Sequence, residues 1–316
     1  MSRFPLFRLP YLALKEVVRC FSPIEIFILS QCSPDLVFPV GTNSFEIDVY
    51  DHHTVSVNGY NFLAVAKYHE YFQESMSTYK FGTEIVNGSH QEDRVETYWW
   101  NVDDGLFILA AYLSNLFKSK IRLFEVPWNF GTSITDTCSV EKLKIFKDQT
   151  PEILKWLLDH IKVTKTLRID ARWCKDFEYS FPEGLLEEFH ATRATWMTFP
   201  TLSTLNSCKQ IVITGSKLTN NDLDKFVQLW KSGKFPKLEH FKANSVKFTE
   251  EEQILGFTMD QLESKQVKKY KWMDGQIHTC KKGMDIQGEN GDVARIFFPC
   301  KLSFQMFVWQ DGEKRD

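Results

Sequence analysis

No apolar run in this chain approaches the roughly 20 residues that a membrane-spanning helix needs, so no membrane span is expected. Charge of one sign is also missing. Against 41 Asp and Glu stand 38 Lys and Arg, for a net charge of −3, and no basic cluster marks a nucleic-acid or membrane surface. Glycine patterns that cradle phosphate are absent: Gly283, Gly288 and Gly291 fit neither the P-loop nor the dinucleotide fingerprint. No serine occupies a GxSxG turn. The seven cysteines are odd in number and form no close pairs, which argues against a disulfide framework and for reduced thiols in an intracellular protein, cytoplasmic or nuclear. His278 and Cys280 share one face of a candidate strand, but no second pair has ligand spacing. His52 and His53 are adjacent, so on a strand they point to opposite faces and read as polar turn residues. Cys174 and Cys208 have histidines only elsewhere in the chain, which is no nucleophile signature. Asp285, Glu289 and Asp292 lack the apolar surroundings that would raise a carboxyl pKa, and read as a solvated loop. No metal, no cofactor and no catalytic residue is expected.

What the chain has in excess is aromatic residues, 15 % with 27 Phe and nine Trp. Such a composition serves a well-filled core and can leave adhesive surface for recognition. At 316 residues two domains are expected. The apolar N-terminus carries Lys15, Glu16 and Arg19, which suits a helix better than a signal peptide.

Residues 4–33 hold more apolar surface than two short helices can bury against each other. Leu14, Val17, Val18 and Phe21 recur at i, i+3, i+4 and i+7, one helical face, and Pro10 suits the first turn. Ser22, Pro23 and Glu25 predict a capping box that starts a second helix, apolar almost all round through Ile24, Ile26, Phe27, Ile28 and Leu29. That helix must be covered, by the rest of the chain or by a partner. The order Leu9-Pro10, Leu14, Val17-Val18, Phe21, Pro23, Ile26, Leu29 resembles the F-box, the motif that docks on the Skp-type adaptor of cullin–RING ubiquitin ligases. By that resemblance these nine residues bind the adaptor. Leu12 stands where the family commonly has an acidic residue, and Ser33-Pro34 cuts the third helix short.

Beyond Pro34 the pattern alternates. Phe45, Ile47, Val49, Val55 and Val57 predict a hairpin around Asp51-His52-His53. Residues 82–94 are polar, contain Asn87-Gly88, and read as a loop. Asp103 or Asp104 would cap a helix with the stripe Leu106, Leu109, Ala110, Leu113 and Phe117; Ile121 and Leu123 follow as a strand closed by Pro127. Thr150 and Pro151 open another helix, with Ile153, Trp156, Leu157 and Ile161 as its stripe, before a strand through Leu167 and Ile169. Helices alternating with strands point to parallel units.

Between 205 and 256 the sequence resembles itself at an offset of 30. Ile211, Ile213, Lys217, Leu218, Thr219 and Asp222 correspond to Phe241, Ala243, Lys247, Phe248, Thr249 and Glu252. Each copy reads as a strand, a turn and a capping box, and in the first Leu223, Phe226, Val227 and Trp230 form a helix stripe ended by Gly233. Leu167, Ile169, Leu185, Leu186 and Phe189 suggest an earlier copy. Such a period is that of leucine-rich-repeat-like stacking, which leaves one face open for binding. Ile211, Ser216, Leu218-Thr219, Asp222-Leu223, Phe226, Trp230, Gly233 and Pro236-Lys237-Leu238 resemble the F-box-associated domain of type 2. Gly283-Met284-Asp285-Ile286, a hairpin around Asn290-Gly291, and a last strand from Leu302 add to that resemblance.

The expected architecture is mixed, α+β or α/β: an F-box over residues 1–36, a body over 37–310 with repeat-like units at about 163–256, and a charged tail at 311–316. The resemblances imply a non-catalytic substrate receptor of a Skp–cullin–F-box ubiquitin ligase. Its partners would be a Skp-type adaptor and a protein substrate whose binding face is unassigned. The alternative is an interaction scaffold whose N-terminal helices pack on its own body.

Overall fold

The computed structural model describes residues 9–32, 45–67, 76–126, 138–146, 149–171, 177–184, 186–251, 253–258, 261–262, 268–271, 277–280 and 283–309. The Ser33-Pro34 break, Pro127, Cys174, Leu185, Glu252 and the 311–316 tail lie outside the described residues, as do the side chains of His278 and Cys280.

In chain order the elements are α1 (Tyr11–Arg19), α2 (Pro23–Cys32), β1 (Ile47–Tyr50), β2 (Thr54–Val57), β3 (Tyr60–Ala66), β4 (Ser77–Phe81), β5 (Glu84–His90), β6 (Arg94–Trp99), α3 (Val102–Phe117), β7 (Ile121–Glu125) and β8 (Cys138–Ile145). Then come α4 (Pro151–His160), β9 (Ile161–Asp170), β10 (Glu188–Thr192), α5 (Phe199–Ser203), β11 (Gln210–Ser216), α6 (Asn220–Lys231) and β12 (His240–Ser245). The chain ends with β13 (Lys268–Lys271), β14 (Ile277–Cys280), β15 (Met284–Gln287), β16 (Val293–Cys300) and β17 (Ser303–Trp309). Helices and mixed strand pairing make this an α+β protein. It divides into two compact units, Met1–Lys144 with Trp156–Lys162 and Ile145–Lys155 with Val163–Asp316, so α1 and α2 belong with the strands that follow them.

In the first unit the strand order is β4-β5-β6-β3-β2-β1-β7-β8. The expected β1–β2 hairpin forms, pairing Ile47 with Val57 and Val49 with Val55, and all four are fully buried. Asn58-Gly59 makes the two-residue turn into β3, with φ of 49° and 86°. Both central residues of such a turn need the left-handed region, where Asn and Gly are least strained. The polar stretch at 82–94 is not a loop. Gly82-Thr83 turns β4 into β5, and Asn87-Gly88 sits inside β5, paired on both sides by β4 and β6. A Cβ on Gly88 would lie 2.7 Å from the Tyr79 ring and inside the Glu96 carbonyl, so glycine serves close approach here, not a turn. The stripe expected on α3 is buried from Leu106 to Phe117, but its cap is Asn101, whose side chain accepts from the Asp103 and Asp104 amides.

The second unit has the order β9-β10-β11-β12-β17-β16-β15, with β13–β14 a separate pair. As the helix–strand alternation predicts, β9 to β12 run parallel. The offset of 30 in sequence is the register of the ladder: Ile211 pairs with Phe241 and Ile213 with Ala243. Leu167, Phe189, Ile211, Phe241 and Met306 thus form one buried row across five strands. Helix α6 covers it, with Phe226 4.1 Å from Phe241 between ring centroids. Its N-terminus is the expected box: the Thr219 hydroxyl accepts from the Asp222 amide at 3.2 Å and the Asp222 carboxylate from the Thr219 amide at 2.9 Å. Gly233, at φ 80°, ends it.

The second copy differs. Among the described residues no helix follows Thr249. Its amide and carbonyl are both bonded by the Asn220 side chain, and Leu255 and Gly256 turn left-handed at φ of 53° and 81° to close an Ile254–Phe257 bridge. A helix started at Glu250 would meet that turn within two windings. On α4 the Thr150 cap is present, accepting from the Ile153 amide at 3.3 Å. Its buried positions are Leu154 and Leu157, whereas Ile153 and Trp156 are half-buried. At the C-terminus β15 and β16 pair as expected, though through a five-residue loop, 288–292, with Gly291 at φ 90°.

Candidate interaction surfaces

Pro10 is the N-cap of α1, not its first helical residue, and the Ser22 box is made: the Ser22 amide donates to the Glu25 carboxylate at 2.7 Å and the Glu25 amide to Ser22 Oγ at 3.3 Å. Of the nine residues that resemble adaptor contacts, Leu14, Val18, Pro23 and Ile26 are buried within this chain. Leu9, Val17, Phe21 and Leu29 are half-buried and Pro10 is exposed. On α1 the buried pair Leu14 and Val18 lies at i, i+4, while Pro10, Ala13 and Val17 recur at i, i+3 and i+7 on a more accessible flank. Leu12, on the opposite side, is 73 % exposed.

Helix α2 is covered by its own chain. Phe27 is fully buried among Phe62, Tyr79, Phe81 and Tyr112, at centroid distances from 5.2 to 6.0 Å. Beside that socket the Tyr112 hydroxyl lies 2.7 Å from Ser30 Oγ and accepts from Gln31 Nε2 at 2.9 Å. The Lys80 amide donates to Gln31 Oε1 at 2.6 Å. Burying a phenylalanine is worth about 1.5–3 kcal/mol, so α2 is held by packing and fixed in register by polar bonds.

Among the described residues the candidate chemical residues do not converge. His53 Nε2 lies 2.8 Å from Asp103, and His52 stacks on Tyr50 at 5.5 Å. Asp285 pairs with the buried Arg295 at 2.8 Å, apart from the exposed Glu289. Burial pushes the Cys208 thiol up to about 12 and Cys138 to about 11, the opposite of an activated nucleophile. No group of three His, Cys, Asp or Glu among the described residues could hold a metal, and no described helix is long and apolar enough to cross a membrane.

The face of the second unit's sheet opposite α6 went unassigned in the sequence. Its registered rows are Thr166, Glu188, Gln210, His240 and Phe307, then Arg168, His190, Val212, Lys242 and Gln305. In the first row the Thr166 hydroxyl donates to Glu188 at 3.0 Å, Gln210 Nε2 lies 3.4 Å from His240 Nδ1, and His240 stacks on Phe307 at 4.7 Å. In the second row Arg168 is exposed and the other four are half-buried. The signal that could have found this row is the offset of 30, which sets Lys242 beside Val212, extended strand by strand to His190 and Arg168.

The segment from Glu183 to β12 is tied by side chains reaching one strand onward. The Gly184 amide donates to Ser207 Oγ at 3.1 Å, Asn206 to Glu183 at 3.2 Å, and Lys209 pairs with Glu187 at 3.3 Å. Arg193, left-handed at φ 54°, reaches back to the Asp170 carboxylate and carbonyl. Residues 182–243, which span this segment, match the family model described as F-box associated. No curated protein and no solved structure matches the chain. The C-terminal part of the chain carries an F-box-associated domain.

Proposed function

We propose that the chain is a non-catalytic substrate-recognition subunit of a Skp–cullin–F-box ubiquitin ligase. The observation that carries this reading is the F-box-associated match at residues 182–243, in a chain whose N-terminal helices resemble the F-box. In this reading the accessible residues of that segment, Leu9, Pro10, Val17, Phe21 and Leu29, meet a Skp-type adaptor, while Leu14, Val18, Pro23 and Ile26 hold the helices in shape. The strands β9 to β12, read as leucine-rich-repeat-like units, present a protein substrate on the face opposite α6. The receptor performs no bond chemistry. It raises the effective concentration of substrate lysines near a charged thioester, to the millimolar range typical of a short tether.

The deciding experiment measures adaptor affinity and thermal melting on the wild type and on Val17→Asp/Phe21→Asp. An unpaired charge in a dry interface costs several kcal/mol, so binding should weaken about a hundredfold or more while melting is preserved. A wild type that binds no Skp-type adaptor sinks the reading.

A second reading has its own observation. The socket around Phe27 shows α2 packed on this chain's strands, as a scaffold unconnected with ubiquitin would have it. There the same double variant melts lower, and no adaptor is captured.

A further inference from the structure

We infer that β9 to β12 bind an extended, carboxylate-rich segment of a partner protein, laid across the strands along the row Arg168, His190, Val212, Lys242, next to which Thr166, His240 and Phe307 are buried. The inference takes from the proposed function only that this unit holds a protein, and names the chemistry of what is held.

Register places Arg168 and Lys242 on the same face, three strands apart. At about 4.8 Å per strand their backbones are separated by about 14 Å. An extended peptide rises about 3.3 Å per residue, so acidic residues four apart, which share one side of the chain, match that spacing. Between the cations lie His190 and Val212, half-buried, giving the peptide's intervening side chain an apolar patch, with His190 Nε2 itself buried. Neither Arg168 nor Lys242 has an acidic partner among the described residues. Of the acids on this face Asp170 is paired with Arg193, and Glu188 accepts from the Thr166 hydroxyl in the neighbouring row and keeps its charge.

The same spacing argues against a phosphorylated residue. A phosphate draws several donors onto one group, usually with bidentate arginine; here single cations stand strands apart and suit separate carboxylates. Nucleic acid fits poorly too. The chain has no basic excess, and no exposed aromatic in this row offers a stacking platform.

The test is fluorescence anisotropy of the full chain with a labelled extended peptide bearing glutamates four residues apart, against the same peptide with glutamines and a single-stranded oligonucleotide. The glutamate peptide should bind, more weakly as salt rises. Arg168→Glu/Lys242→Glu should lose about tenfold or more, with unchanged melting. Should that variant fail to fold, Arg168→Gln/Lys242→Gln reads the same loss. Equal binding of the glutamine peptide, tighter binding of the oligonucleotide, or no effect of either variant overturns the inference. Adaptor affinity is read on the same proteins. Peptide binding without adaptor binding leaves this inference standing and removes the ligase reading; adaptor binding without peptide binding does the reverse.

Discussion

The side chain of Asn220 makes both halves of a reciprocal bond with Thr249: its amide donates to the Thr249 carbonyl at 2.9 Å and its carbonyl accepts from the Thr249 amide at 3.1 Å. Asn220 is fully buried at the start of α6 and Thr249 is exposed, so these part-buried bonds tie one strand–turn unit to the next. Asn220→Ala removes both bonds, each with a net worth of about 0.5–1.5 kcal/mol. A fall in the urea midpoint, with slope unchanged, is expected. Asn220→Asp, which keeps only the acceptor, should lose most of the same stability.

Thr219 and Thr249 correspond in sequence, and they should respond differently. Thr219 Oγ1 caps a real helix, so Thr219→Ala should cost about 1 kcal/mol. Thr249 is exposed and starts no helix, so Thr249→Ala should stay within about 0.5 kcal/mol. Denaturation of the two variants side by side checks this.

Gly88→Ala adds one methyl group where there is no room for it. With the Tyr79 ring 2.7 Å away and the Glu96 carbonyl closer, the cost should be that of overpacking, about 1–3 kcal/mol. Tyr79→Leu in the same chain should restore little, because the backbone carbonyl remains. Melting temperatures of the single and double variants decide between ring and carbonyl as the obstacle.

His190 makes stability depend on pH. Burial, and next the Arg168 guanidinium, hold its imidazole below the usual range, and Glu188 opposes this in part. The unfolded chain therefore takes up a proton at a higher pH than the folded one. The contribution of neutral His190 is complete above about pH 6.5 and is lost as pH falls from there toward the lowered folded value. Urea midpoints at pH 7.5 and 5.5 should differ by less in His190→Gln than in the wild type.

The strand rows of the second unit are legible because the stretch around Ile211 and Ile213 recurs 30 residues later around Phe241 and Ala243. The three Asn-Gly dipeptides show why other parts were not. Asn58-Gly59 turns a hairpin, Gly291 shapes a five-residue loop, and Asn87-Gly88 lies straight inside a strand. The dipeptide permits a left-handed turn without requiring one, and β5 is fixed by main-chain bonds on both edges, which composition does not report. In β5 the buried side chain is Val86 while the larger Ile85 is 66 % exposed, the reverse of what hydrophobicity suggests. The α3 cap is ambiguous in sequence because Asn101, Asp103 and Asp104 are all good caps, and only the backbone decides among them. Arg168, His190 and Lys242 stayed apart in sequence because what unites them is register across four strands.

The socket around Phe27 also sets an order of events during synthesis. Helix α2 leaves the ribosome before the strands and helix that cover it, and Tyr112, which bonds Ser30, follows 82 residues later. At 5–20 residues per second the aromatic face of the helix travels without its cover for roughly 4 to 16 seconds. During that interval the nascent chain displays Ile24, Ile26 and Phe27 together, an apolar stretch of the kind that holdase chaperones bind. The apolar face of α2 is thus made some 80 residues ahead of the last part of its cover.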